Sequence, residues 1–172
     1  YSGFEWQPSL RLAWTPDDVH MAWLAASRAV RSPSVIDDDM RIDARATPGP
    51  LLLSVFGNHD FRSEVLIAYE AGYRTRPWDP VQLDLALFHN SYRHLRSLEP
   101  GATFAEPGAT VLPFVIDNNL EATTYGAELA VNVQAAPGWR LQGSYTYLYM
   151  NLDPRDGSLD TTSEAEERKS PR

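Results

Sequence analysis

Cysteine is missing from this chain of 172 residues, which excludes disulfides, thiolate metal sites and a cysteine nucleophile. Nowhere does the sequence run to about 18 consecutive apolar residues, the length that a membrane-spanning helix needs. Positive charge is scarce. Fifteen Lys and Arg stand against 23 Asp and Glu, a formal net charge of −8, whereas a nucleic-acid binder normally carries a basic stripe. There is no nucleophile elbow, no H-E-x-x-H pair and no phosphate loop, so neither enzyme chemistry nor a cofactor is expected. No stretch holds apolar residues convincingly at the 3.6-residue spacing of a helix. None of these absences bears on a membrane β-barrel, whose strands alternate and build no continuous apolar run.

What is present is alternation. Hydrophobic residues make up 43% and charged residues 22%, which sets the chain apart from disordered compositions, and its length suits one domain. About six segments read apolar and polar in turn. Phe4, Trp6, Leu10, Leu12 and Trp14 oppose Glu5, Gln7, Ser9 and Arg11 in the first. In the second, Val19–Arg31, the pattern puts Val19, Met21, Trp23 and Ala25 on one side, with His20 and Arg28 on the other. The third has Phe61, Val65, Ile67, Tyr69, Ala71 and Tyr73 against Arg62, Glu64, Leu66, Ala68, Glu70, Gly72 and Arg74. Val81, Leu83, Leu85 and Leu87 face away from Gln82, Asp84, Ala86 and Asn90 in the fourth. Tyr125, Ala127, Leu129, Val131 and Val133 oppose Thr124, Gly126, Glu128, Asn132 and Gln134 in the fifth. The sixth, Trp139–Met150, carries Trp139, Leu141, Tyr145, Tyr147 and Tyr149.

The connections alternate as well. Short turns at Pro16-Asp17-Asp18, Pro77-Trp78-Asp79-Pro80 and Ala136-Pro137-Gly138 trade places with long segments at about 32–59, 96–112 and 151–172. This predicts an all-β, antiparallel up-and-down meander. A soluble sandwich also has one apolar face per sheet. Two features favour an open segment of a large transmembrane barrel. The strands run to about 10–14 residues where soluble strands cluster near 5–6. Trp14, Trp78 and Trp139 sit at or beside the short turns, where an interfacial girdle belongs. The polar face carries charge within the strands, which a wet lumen accepts and which the solvent face of a sandwich would accept equally. On the barrel reading Val65, Ile67, Tyr69, Leu83, Leu85, Leu129, Val131, Tyr145 and Tyr147 face lipid. Arg28, Arg62, Glu64, Asp84 and Glu128 face the lumen, where Gly72 and Gly126 leave room or ease bending. The opening YSGFEWQPSL is already strand-like and shows no signal peptide, so the chain is expected to be a piece of something longer.

Several strings resemble those of TonB-dependent outer-membrane receptors, in the order in which that family carries them. Gly57-Asn58-His59-Asp60-Phe61 leads to Glu64, and Tyr69-Glu70-Ala71-Gly72-Tyr73 is similar to the family's "YE.GY" strand. Ser27-Arg28-Ala29-Val30-Arg31-Ser32-Pro33-Ser34 resembles "SR..R.PS", and Leu87-Phe88-His89-Asn90-Ser91-Tyr92 resembles "F.N.Y". Asn118-Asn119-Leu120-Glu121 with Tyr125-Gly126-Ala127-Glu128-Leu129 resembles "N…A…GVEL", and Gly143-Ser144-Tyr145-Thr146-Tyr147 resembles ".SYTY". The family closes a barrel of about 22 strands around an N-terminal plug, and the resemblance places this chain, residues 1–172, in the later part of that barrel. It implies a parent in the outer membrane of a Gram-negative bacterium that takes up a scarce bulky nutrient, ferric siderophores being the commonest class. Its partners would be membrane lipid, its own plug, the energising TonB complex and a nutrient chelate held at the extracellular loops. A passive porin and a soluble all-β binding module are the competing readings.

Other candidates have plainer explanations. Asp37-Asp38-Asp39 could hold a cation, but an acidic run in a loop is more often a solvated one. The stretch from Asp153 to Asp160 lacks the spacing of an EF-hand loop. His59, His89 and His94 show no tight metal-ligand spacing. Arg28, Arg62 and Glu64 are expected to pair with one another or with plug residues before they touch any anionic substrate.

Overall fold

A computed structural model describes residues 3–45, with the side chain of Arg45 aside, and residues 49–160. The expected terminal loop therefore lies outside the described residues from position 161 onward. Every described strand joins one sheet that curls into half a barrel. Six strands form the expected antiparallel meander: β1 (Ser9–Trp14), β2 (His20–Arg31), β5 (Glu64–Trp78), β6 (Val81–Pro100), β8 (Ala109–Ala136) and β9 (Trp139–Pro154). The two long connections carry structure that the alternation does not announce. A short helix α1 (Val35–Asp39) and the strands β3 (Arg41–Arg45) and β4 (Leu51–Phe56) lie between β2 and β5, and β7 (Phe104–Glu106) precedes β8. The expected loop at 96–112 is mostly a tall hairpin. Its Pro and Gly residues suggested irregular chain, yet the turn is confined to Pro107-Gly108, where Gly108 takes φ 83°.

Register determines the two faces. Across the sheet Trp14, Ala22, Tyr73, Leu85, Leu129 and Tyr145 form one rung; Leu12, Leu24, Ala71, Leu87, Ala127 and Tyr147 form the next. Above them stand Leu10, Ala26, Tyr69, His89, Tyr125 and Tyr149, and then a polar rung of Arg28, Ile67, Ser91, Thr123 and Asn151. Tyr125 and Tyr149 stack with ring centroids 4.9 Å apart. Between Val81 and His89 the apolar band covers about 27 Å of strand. At a tilt of about 40° that is about 20 Å of height, close to the hydrocarbon span of membrane barrels. The rung of tyrosines marks its upper rim, and Trp78 and Trp139 stand 60% and 70% exposed at the short turns below. No second sheet covers this face among the described residues, so it is not the core of a sandwich.

β2 sits one residue out of the phase read from sequence. Ala22, Leu24 and Ala26 occupy the apolar face, while Trp23 turns to the other side and lies over Gly72. The strand carries apolar residues in both phases, and its neighbours Leu12 and Ala71 select the phase. The polar face uses glycine to seat aromatic rings. A Cβ on Gly72 would stand 2.1 Å from the Trp23 indole; one on Gly126 would stand 2.6 Å from the Phe88 ring and 2.1 Å from the backbone oxygen of Tyr147. Neighbouring rings thus fill the room expected above these glycines.

Above the apolar band β6 and β8 each gain one residue. The ladder shifts between Tyr92 and Leu95, where His94 adopts φ 58°, and shifts back before Ser97. The buried Asn118 fills the gap: its Oδ1 accepts from the Arg62 N–H at 2.5 Å, and its Nδ2 donates to the carbonyls of Arg62 and His94. The chain from β2 passes across the sheet here, and β4 pairs in parallel with β8 along Thr110–Val115, beyond the point where β9 stops. The meander is therefore not purely antiparallel. Most of the side chains that are fully buried belong to this end, among them Val111, Ile116, Asp37, Ser54 and Ser97.

Two carboxylates fasten these upper connections. Burial pushes the Asp37 carboxyl up, but Ser34 and Arg31 outweigh it and hold the group below its ordinary value. Burial likewise opposes ionisation of Glu99, and the Leu159 N–H, Ser158, Ser97 and Asn119 hold it below the ordinary carboxylate range. A depressed folded pKa gives stability that is complete above the unfolded value, about 4, and is lost as pH falls towards the folded one. Nitroxide labels at Val35→Cys and Leu159→Cys in the full-length protein should therefore gain mobility below about pH 4; spectra unchanged down to pH 2.5 would refute these anchors. Glycine substitutions give a second expectation. Gly126→Ala should cost about 1–3 kcal/mol because a strand carbonyl cannot swing aside, and Gly72→Ala should cost less because the Trp23 ring can. Thermal unfolding of the two variants in detergent checks the order.

Candidate functional site

The polar face is the surface on which this segment can recognise something, and it has two levels. At the level of the apolar band the wall is built from small and neutral groups, Ala25, Ala68, Gly72, Ala86, Gly126 and Ala130, with Asn90, Thr124 and Asn132 between them and the rings of Trp23 and Phe88 laid over the two glycines. Three acidic side chains, Glu70, Asp84 and Glu128, project from it. Asp84 is bonded to the Arg74 guanidinium opposite it and also accepts from Gln82. Glu70 and Glu128 have no hydrogen bond and no ion pair among the described residues. They stand on strands two spacings apart, about 10 Å, on either side of Phe88 and Ala86. An unpaired carboxylate on a wall of small residues has room for a cationic partner.

The upper level is already paired. Arg31 donates to both oxygens of Glu64, at 2.7 and 2.9 Å, and to Asp37 at 3.1 Å. Arg96 approaches the other Asp37 oxygen at 3.6 Å, and its backbone N–H donates to Glu64 at 2.9 Å. Asp37 is 1% exposed and also accepts from the N–H and hydroxyl of Ser34. The pairs close a neutral network of two guanidinium groups and two carboxylates. Arg31 also lies 5.9 Å over the Phe61 ring. Such a network in a half-buried site costs little to form because the Arg31 guanidinium is fixed by three bonds at once.

The structure sorts the five expected lumen residues differently from the alternation. Glu64, Asp84 and Glu128 share the polar face, the first two with arginine partners. Arg28 does not belong there. It pairs with Ile67 on the apolar face, at the polar rung above the tyrosines, and its guanidinium reaches the Glu5 carboxylate at 3.3 Å and the Trp6 carbonyl. At that height a cation meets water or headgroups, which is why the apolar face tolerates it. Arg62 lies outside the strands, exposed, in the turn before β5, and its backbone is what Asn118 binds. Glu70 is the residue the reading missed as a site; its position beside Gly72 in the alternating strand was the available signal. The expected lipid-facing residues Val65, Ile67, Tyr69, Leu83, Leu85, Leu129, Val131, Tyr145 and Tyr147 share one face by register.

The fold also gathers Asp38, Asp39 and His59, whose ligand atoms lie within 4.8 Å of one another. The chain bends back here because Gly57 N–H donates to Met40 and Asn58 N–H to Asp37, and a Cβ at Gly57 would strike the Asp38 backbone. His59 Nδ1 is 2.9 Å from Asp38, and that hydrogen bond, with the charges of Asp38 and Asp39, raises its pKa. The imidazole is 78% exposed. A protonated ring that spends Nδ1 on Asp38 makes an ion pair, and the arrangement is that of a surface contact.

The profile of the family described as TonB dependent receptor-like, beta-barrel, matches residues 1–169. Among solved structures, the siderophore receptor PirA from Pseudomonas aeruginosa is similar over 89% of this chain and 29% of its own, with a TM-score of 0.71 and 21% identity. A variant of the ferric enterobactin receptor PfeA from Pseudomonas aeruginosa, in complex with enterobactin, matches 84% of this chain and 22% of its own, at TM-score 0.69 and 18% identity. The copper transporter OprC is similar at TM-score 0.56 and 14% identity, over 83% of this chain and 20% of its own. These identities speak for the fold, and the chain spans between a fifth and a third of the length of these structures. A segment with one apolar face rimmed by tyrosine, one polar face and two unclosed edges belongs to the barrel of the TonB-dependent receptors.

Proposed function

We propose that this segment forms part of the wall and mouth of an outer-membrane receptor that imports a ferric siderophore with energy delivered through TonB. The observation that carries the reading is the division of one sheet into a tyrosine-rimmed apolar face and a wet face with unpaired Glu70 and Glu128. A bilayer suits the first, since every strand keeps its backbone paired and shows lipid only side chains. A plug suits the second. The unpaired carboxylates answer to arginine or lysine groups on a domain seated inside the barrel, whereas Glu64 and Asp84 are already neutralised within the wall. The long-loop end then faces outwards and the short turns face the periplasm. Siderophores are favoured because PirA and PfeA are receptors for them; no bond is made or broken in such transport, and the parent is a carrier rather than a catalyst.

The test uses the full-length receptor in a Gram-negative strain deprived of its own ferric enterobactin receptors. Radioactive iron supplied as ferric enterobactin should accumulate, and deletion of TonB should abolish the uptake. Uptake that continues without TonB would replace this reading with the passive porin. Replacing both wall carboxylates, Glu70→Gln with Glu128→Gln, should cut TonB-dependent uptake roughly tenfold, because each lost charge-assisted bond to the plug is worth about 1–3 kcal/mol. Asp84→Asn should have the smaller effect on uptake, since its loss is felt by Arg74 within the wall.

A further inference from the structure

The connection between β2 and β5 is the most elaborate feature outside the membrane band, and neither the alternation nor the transport reading accounts for it. It leaves β2, turns through α1, and adds β3 and β4 to the far side of β8. To get there the chain passes β5, β6 and β8, and the fold ties it down along the way. Asp37 is held by Arg31 of β2 and approached by Arg96 of β6. The returning limb is clamped where Asn118 of β8 binds both backbone groups of Arg62. Between these ties β4 lies in register with β8 from Leu51↔Thr110 to Phe56↔Val115, and the Thr110 N–H donates to Pro50 at 2.7 Å. β3 is tied in turn: Arg41 bonds Glu106 at 2.9 Å and lies 5.2 Å over the Phe56 ring, which meets Phe104.

We propose that this crossover is a fixed strap across the mouth, and that β4 remains a wall strand throughout transport, so the loop movement that admits substrate comes from other segments. The inference rests on the reading that this end of the sheet is the outer mouth. Its physical basis is the type of contact. A loop that must open is held by few contacts and exposed hydrogen bonds, and is drawn from the least stable parts of a fold. This connection is held by a six-residue ladder, a buried carboxylate with four donors or cations around it, and a buried amide that makes three hydrogen bonds. Opening would break these together and strand Asp37 and Asn118 without partners. β4 also occupies the edge of β8 that β9 has left, so releasing it would bare backbone groups on two strands.

Two measurements on the full-length receptor test this. Hydrogen exchange in detergent should show the amides of residues 52–56 protected to within about tenfold of those at 110–115 in β8. Exchange at the rate of an open loop, with residues 122–134 still protected, would overturn the strap. Leu53→Cys with Leu112→Cys places a cysteine pair at directly opposed positions, in a segment otherwise free of cysteine. Oxidised receptor should take up ferric enterobactin within about twofold of the reduced form. Uptake lost on oxidation and restored on reduction would show that the strap must open. If neither form imports the probe, the transport reading fails, and the exchange measurement still decides whether the strap is fixed.

Discussion

Register is the constraint on which the rest of this segment depends. A strand that slips by one residue exchanges its faces, and here that exchange would put Glu70, Asp84 and Glu128 against lipid and the tyrosines into water. The antiparallel ladder from β1 to β9 holds one phase through the apolar band with no bulge except beside the short turns. Away from those turns the ladder gives way above the upper tyrosine rung, and there the extra residue on β6 is answered by an extra residue on β8. Placed lower, either bulge would have brought a mismatch of faces into the hydrocarbon layer. Placed at the mouth, the pair makes space for Asn118 to grip a passing chain.

That division of labour explains where the buried groups are. Within the membrane band both faces of a single sheet lack a protein core, and stability comes from backbone pairing and from lipid on one side. Beyond the band there is no lipid, so the connections must build a core of their own from Phe61, Val111 and Ile116 and from bonded polar groups such as Asp37, Ser54 and Ser97. Charge follows the same logic. Arginine and carboxylate are paired where the connections crowd Arg31, Glu64 and Asp37 together, whereas Glu70 and Glu128 stand unpaired on the open wall among the described residues.

The sequence makes the membrane band legible because period-two alternation, strand length and tryptophan placement are local properties. It also carried enough of the family's ordered strings to name the architecture. It misled where a local pattern was ambiguous. β2 offers apolar residues in both phases, so only its neighbours could show that Trp23 faces Gly72 and that Arg28 stands beside Ile67. The unpaired state of Glu128 and Glu70 was illegible for a related reason: both lie in the same pattern as Glu64, and what separates them is an arginine 33 residues away that reaches only one. The parallel pairing of β4 had no local signal, since LLLSVF reads as a short apolar run and its partner lies across the sheet.

The two edges and the two single carboxylates make different physical demands. β1 and β9 each offer lipid-level backbone groups on one side with no strand beside them among the described residues, and hydrocarbon does not satisfy such groups. Glu70 and Glu128 offer charge to the lumen, and neither pairs with a cation among the described residues. Closing the sheet answers the edges, but it does not answer the carboxylates, since further barrel strands would stand around the lumen and not over this wall. The proposed contact with a plug is therefore a separate matter from the unpaired edges. A cationic group that met both carboxylates would stand beside Phe88 and Ala86, just below the upper tyrosine rung.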